Sequence, residues 1–181
     1  MVIIMEKPAI CGGIPACATP VQYGRQYIDE ADIRAVTEVL KSPFLTCGPQ
    51  IPALEQKFCE ITGAEYAVAV SNGTAALHIA CIAAGIAPGD EVITTPITFA
   101  ASANCVSYCG GKPVFADIDP ETYNIDPAAI EACITPHTKA VIPVHYTGQS
   151  VAYDEIAALC KKHGLILIQD AAHAVGTLYK G

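Results

Sequence analysis

The sequence predicts an α/β protein in which a mainly parallel sheet lies between helices, and three observations predict it. From Tyr66 onward, short apolar runs alternate with helical patterns, as strand-helix-strand units require. Runs such as 67–70 and 165–168 are apolar without polar alternation, which suits parallel strands covered on both faces. The 181 residues are 52% hydrophobic and only 15% charged, enough to bury the core that such a sheet needs.

The elements follow in order. Residues 8–27 contain Pro8, Gly12, Gly13, Pro15 and Pro20 and read as an irregular arm, with residues 1–28 set apart from the domain that follows. Within it, Tyr23, Gly24, Arg25 and Tyr27 place a cation among aromatics, which suits an anionic ligand, a second subunit or a solvated surface. Asp29 caps a helix to about Leu40, with Ile33, Val36, Val39 and Leu40 on one side and Ser42-Pro43 as its stop. Cys47-Gly48-Pro49 is a turn, and 51–61 is a second amphipathic helix closed by Gly63. The sheet then begins. Strands are expected at 67–70, 91–95, 113–116, 139–144 and 165–169, with helices at 75–84, 99–108, 127–133 and 153–163. Asp126 caps the third of these helices, with Pro127 in its first turn.

Composition narrows the function. Net charge is -8 and the ten Lys and Arg are scattered, so no surface for phosphate neutralisation forms and nucleic acid is not a partner. The nine cysteines include no C-x-x-C pair, and Cys105 and Cys109 lie one helical turn apart. Most sit among Ala, Ile and Val, as structural thiols of a reducing compartment do, and no metal site is expected. The apolar start at 1–4 is stopped by Glu6, Lys7 and Pro8, and no run approaches a membrane span. A cytoplasmic protein with no membrane partner is expected.

Three strand-to-helix junctions can carry chemistry. At Ser71-Asn72-Gly73-Thr74, a glycine turn leads into a helix whose unpaired N–H groups and dipole suit a phosphate, and equally suit a capped helix without ligand. The turn has neither the G-x-G-x-x-G fingerprint nor a Walker lysine, which disfavours a dinucleotide-binding domain. At Thr94-Thr95-Pro96-Ile97-Thr98-Phe99, an aromatic beyond a strand end can stack on a planar heterocycle or belong to the core. At the third, Asp170 and His173 follow the last strand, at the sheet end where ligands bind in open α/β folds. Taken singly, an Asp capping a turn with a His packed beside it accounts for both. A buried Asp beside a pyridine nitrogen would keep it protonated. Phosphate cradle, stacking ring and pyridinium partner together point to pyridoxal 5'-phosphate, whose protonated ring is an electron sink.

The segments 45–49 (LTCGP), 71–78 (SNGTAALH), 89–99 (GDEVITTPITF) and 170–174 (DAAHA) resemble the DegT/DnrJ/EryC/StrS family of pyridoxal phosphate sugar aminotransferases. Within the family, 23–28 (YGRQYI), Ala103-Asn104-Cys105 and Tyr108-Cys109-Gly110-Gly111 are similar to the branch of pseudaminic acid synthesis. The resemblance implies a fold-type-I large domain over residues 29–181, a homodimer with active sites at the subunit interface, and transfer of an amino group from glutamate to a UDP-linked 4-keto-6-deoxy amino sugar. It implies that Gly73 and Thr74 hold the cofactor phosphate and that Phe99 stacks on the ring. By the same carry-over, Asp170 pairs with the ring nitrogen, His173 lies near the phenolic oxygen, and Tyr23, Arg25 and Thr46 serve the nucleotide sugar.

The departures also carry expectations. The family's Schiff-base lysine belongs to a motif downstream of the aspartate segment, and none of the eight lysines matches it; Lys180 comes too early. The chain is therefore expected to be the N-terminal part of a longer enzyme, its large domain incomplete, and inactive by itself. Gln169 stands where an acid often precedes the aspartate, and Ala152 where an Asp often caps the helix. A non-catalytic module that binds the cofactor or a partner, and a related dehydratase with histidine in place of the lysine, are the alternatives.

Overall fold

The computed structural model describes residues 7, 9–14, 17, 19, 24 and 26–181. The chain divides into two compact units, Met1–Gly48 and Pro49–Gly181. In the first, α1 (Glu30–Lys41) starts at Asp29, whose side chain accepts from the N–H groups of Ala31 and Asp32 while Asp32 returns a bond to the Asp29 N–H. This reciprocal cap satisfies donors that a helix start otherwise leaves open. The apolar face expected of this helix is present, but Ile33, Val36 and Leu40 remain exposed.

The second unit holds the sheet. Helix α2 (Gln50–Thr62) ends at Gly63 in the left-handed conformation, as its sequence predicts, and α3 (Gly73–Ala83) starts from an Asn72 cap. Strand β1 (Glu91–Thr94), α4 (Ala101–Tyr108), β2 (Lys112–Phe115), α5 (Pro127–Cys133), β3 (Thr138–Ile142), α6 (Tyr153–His163) and β4 (Ile166–Leu167) then alternate. All pairings are parallel, in the order β2-β1-β3-β4. Side chains alternate across the sheet and sort into two cores. Val92, Ala140 and Ile142 face α3 and α4, whereas Ile93 and Val141 face α5 and α6. Gly111 admits β2 to this arrangement, since a Cβ there would lie 2.8 Å from the Ile86 side chain.

The predicted strand at 67–70 joins no ladder. Its alternation is nevertheless strand-like: Ala67 and Ala69 are half-buried, and Tyr66, Val68 and Val70 are exposed. The expected strand is therefore absent here, because a ladder needs a neighbour and none is present among the described residues. The Ala69 N–H instead donates to the Glu55 carboxylate at 2.9 Å. The last strand is likewise shorter than the apolar run that predicts it, because regular pairing with β3 stops at Leu167.

The order of strands fixes where a site can form. The connection after β1 leads to β2 on one side, and the connection after β3 leads to β4 on the other. Between β1 and β3 the winding reverses, leaving a crevice beyond the carboxyl ends of the strands.

Candidate active site

Asp170 is held at that end of the sheet by its own backbone. Its N–H donates to Pro143 O at 3.0 Å and its carbonyl accepts from the His145 N–H at 3.1 Å, a parallel bridge with Val144 beyond the strand. The residue is only 8% exposed. Burying a carboxylate is costly unless donors replace its water. Ser102 supplies one, with Oγ 2.7 Å from Asp170 Oδ2, and the Ala172 N–H supplies a second at 3.2 Å from Oδ1. A turn cap therefore accounts for one oxygen, and the other is reserved for a buried serine from the helix that follows β1.

The segment entering that helix carries the second predicted group. Thr95 is fully buried and its hydroxyl accepts from the Ile97 N–H at 3.3 Å. Thr98 Oγ1 lies 2.7 Å from Ser102 Oγ, and the Ser102 N–H donates to Phe99 O at 3.1 Å. Phe99 is thus tied by its backbone to the residue that holds Asp170, while its side chain is 77% exposed. The ring therefore takes no part in the core formed by the described residues.

Gly73 and Thr74 form the start of α3. Asn72 caps the helix through Oδ1 to the Ala75 N–H at 2.9 Å and through its carbonyl to the Ala76 N–H at 3.1 Å. The N–H groups of Gly73 and Thr74 take no acceptor among the described residues. A Cβ on Gly73 would meet nothing within 4 Å, so there is free space beside the start of this helix. One turn further, Leu77 packs in the same core as Ala101 and Cys105 of α4, which puts α3 and Ser102 on one face of the sheet.

His173 is exposed, in consecutive turns closed by Ala174 N–H to Ala171 O and Thr177 N–H to Ala174 O. Gly148 supports this segment. It has φ +89°, its carbonyl accepts from Thr177 Oγ1 at 2.9 Å, and a Cβ there would lie 3.0 Å from His173 O. Thr46 is exposed and belongs to the other unit, and Tyr23 and Arg25 fall outside the described residues. Beside Asp170, the buried His145 accepts from the Val151 N–H through Nδ1, so Nε2 carries the proton donated to Gln169 Oε1 at 3.0 Å. Gln169 accepts here as an acid would, so the departure at this position leaves the hydrogen bond in place. At the Ala152 departure, α6 begins without a side-chain cap.

Two residues that sequence reasoning did not single out, Ser102 and Thr98, connect the predicted ones. The available signal was a pair of hydroxyls four residues apart across a helix start. Lysines 41, 57, 112, 139, 162 and 180 each pair with a carboxylate, and Lys112 and Lys139 do so with Glu91 and Asp90 at the opening of β1, the opposite end of the strand from the crevice. Their cations and the neighbouring hydrogen bonds hold both carboxyls below the ordinary range. Among the described residues, no helix is long and apolar enough to cross a membrane.

Known proteins resemble this chain in sequence and in fold. The spore coat polysaccharide biosynthesis protein SpsC of Bacillus subtilis (strain 168) is 51% identical over 158 residues, which are 87% of this chain and 41% of SpsC. The crystal structure of DesI in the presence of its TDP-sugar product superimposes with a TM-score of 0.83 at 39% identity, over 96% of this chain and 44% of DesI. NtdA from Bacillus subtilis, with bound cofactor PMP, gives 0.76 at 38% identity, over 80% of this chain and 33% of NtdA. The chain thus spans about two fifths of SpsC and DesI and a third of NtdA. The parallel α/β sheet is that of the fold-type-I aminotransferases. With residues 26–181 matching throughout, and with the sheet, the switch point and the buried aspartate in place, the chain belongs to the DegT/DnrJ/EryC1/StrS aminotransferase family.

Proposed function

We propose that this chain forms the cofactor-holding part of a pyridoxal phosphate-dependent aminotransferase that uses glutamate to aminate a UDP-linked 4-keto-6-deoxy amino sugar, of the kind used in pseudaminic acid synthesis. The observation that carries the reading is the Asp170 carboxylate, 8% exposed and held by Ser102 beyond the sheet's carboxyl end. A buried carboxylate with lone pairs to spare fits a protonated ring nitrogen, since the opposite charge favours both ionised forms. The open N–H groups of Gly73 and Thr74 fit a phosphate at a helix start, and the exposed ring of Phe99 fits a stacked heterocycle. When bound, pyridoxal phosphate supplies the electron sink that lets an amino group pass from donor to ketone.

The chain's own residues have separable tasks. Asp170 keeps a proton at the ring nitrogen, Gly73 and Thr74 anchor the phosphate, and Phe99 fixes the plane of the ring. His173 serves the ring's phenolic side, and Tyr23, Arg25 and Thr46 serve the nucleotide sugar. The choice of a nucleotide-linked substrate is supported by the TDP-sugar product of DesI, and the choice of UDP and of the sugar by the 23–28 and 103–111 segments. Nine unpaired cysteines suit the reducing cytoplasm, where we place the enzyme as a homodimer. Residues 1–181 alone hold cofactor-binding groups without the family's Schiff-base lysine, and are expected to bind without turnover.

The test uses the protein as its gene encodes it. Incubation with glutamate and a UDP-4-keto-6-deoxy amino sugar should yield the amino sugar, read by mass spectrometry. Asp170→Ala should lower turnover by roughly 100-fold or more, as loss of one preorganised electrostatic partner does, with the thermal melt still cooperative. Near-normal turnover in that variant would remove Asp170 from the ring nitrogen. Absence of amino transfer from glutamate to any nucleotide keto-sugar would overturn the assignment.

A further inference from the structure

We propose that Ser102 is the positioning residue of this site, orienting the Asp170 carboxylate through a directed chain of hydroxyls that begins at Thr98, while its backbone N–H ties Phe99 to the same unit. The inference rests on the Asp170 reading above and deepens it.

The direction follows from counting protons. Ser102 Oγ lies 2.7 Å from Asp170 Oδ2, 2.7 Å from Thr98 Oγ1 and 3.3 Å from Phe99 O. A serine hydroxyl has one proton to give, and an ionised carboxylate can only accept. The short bond to a charged acceptor outcompetes the long one to a neutral carbonyl, so the proton points at Asp170. Ser102 can then meet Thr98 only as an acceptor, and Thr98 must donate. The order is Thr98 to Ser102 to Asp170, each donor polarising the next.

Geometry makes this more than satisfaction of a buried hydroxyl. Ser102 is 0% exposed in the first turn of α4, between Ala101 and Ala103, and its hydroxyl is what distinguishes it from these neighbours. The Ser102–Asp170 bond joins residues 68 apart in sequence. It also links the segment after β1 to the end of β4, although β3 separates those strands in the sheet. With Oδ1 held by the Ala172 N–H and Oδ2 by Ser102, the plane of the carboxylate is set from both sides. A ring nitrogen is met in that plane, along the oxygen lone pairs. The Ser102 N–H holds the Phe99 carbonyl, so the residue that orients the charge also fixes the backbone carrying the stacking ring.

The test reads the ring nitrogen directly. The protein as encoded is loaded with pyridoxamine phosphate labelled with 15N in the ring, and the 15N chemical shift reports whether that nitrogen is protonated. The wild type is expected to show the protonated value. Ser102→Ala should move the resonance toward the unprotonated value and raise the dissociation constant of pyridoxamine phosphate roughly 3- to 10-fold, part of what a hydrogen bond to a charged group is worth because Ser102 acts through Asp170. It should also lower the thermal midpoint with the melt still cooperative, since a buried carboxylate oxygen loses its donor. Thr98→Val, which removes only the distal donor, should shift the resonance in the same direction by less. Should Ser102→Ala fail to fold, Thr98→Val decides alone. A resonance and affinity unchanged in the folded variants would overturn the positioning role while leaving Asp170 in place. An unprotonated nitrogen in the wild type would overturn that role and the Asp170 reading together.

Discussion

At Phe99, burial and function separate cleanly. With its side chain 77% exposed, the residue contributes little to the core, and Phe99→Ala should change the stability of the protein by no more than about 0.5 kcal/mol. Stacking of one aromatic on another is worth about 0.5–1.5 kcal/mol beyond area, so the same variant should weaken pyridoxamine phosphate binding by about 2- to 13-fold. Fluorescence titration paired with a thermal melt checks both, and an unchanged dissociation constant would take Phe99 out of the site. Sequence alone reached Phe99, Asp170, Gly73 and Thr74 because each follows an apolar run where a strand should end. It did not reach Ser102, because a serine in a run of Ala and Cys looks like any small helix residue. Its role comes from a partner 68 residues away, and no local pattern encodes that.

Among the elements, the helices were legible nearly to the residue and the strands less so. Helix α6 matches its predicted span, since Tyr153 to His163 carries a continuous period ending at Gly164 in the left-handed conformation. Strand ends depend on neighbours, and so β4 and the 67–70 segment could not be delimited from their own residues. The 171–177 turns show how one element sets another. Gly148 lies at φ +89° with His173 O 3.0 Å from where its Cβ would be, so an added methyl meets both backbone strain and a fixed carbonyl. A left-handed conformation costs an L-residue about 1–2 kcal/mol, and Gly148→Ala should lose at least that in a denaturant melt. The variant should also displace the His173 segment, since the Thr177 hydroxyl bonds to the Gly148 carbonyl. Amide exchange at 173–177 faster than in the wild type would show it, whereas unchanged exchange and stability would mean that the loop absorbs the methyl freely.

The molecule as a whole treats its two sheet edges differently. On one side, β2 carries Lys112 and Pro113, a charge and a residue without an N–H, and both discourage another strand from pairing there. On the other, β4 offers Ile166 and Leu167 with no such protection; elsewhere in the unit that holds the sheet, Tyr66 is 78% and Val68 70% exposed. In the same unit, Ile51, Leu54 and Phe58 of α2 are exposed apolar residues, and the 1–48 unit exposes Ile33, Val36 and Leu40 of its own helix. Exposed apolar residues in such number, together with an unprotected strand edge, drive association in water. Residues 1–181 produced by themselves should therefore sediment as concentration-dependent oligomers. Val68→Lys should reduce that association, because the side chain is already in solvent and a charge on an extended segment opposes pairing at almost no cost to folding. A monodisperse monomer for the unaltered chain at tens of micromolar would show that these surfaces do not seek partners, and an unchanged distribution for the variant would place the association elsewhere than 67–70.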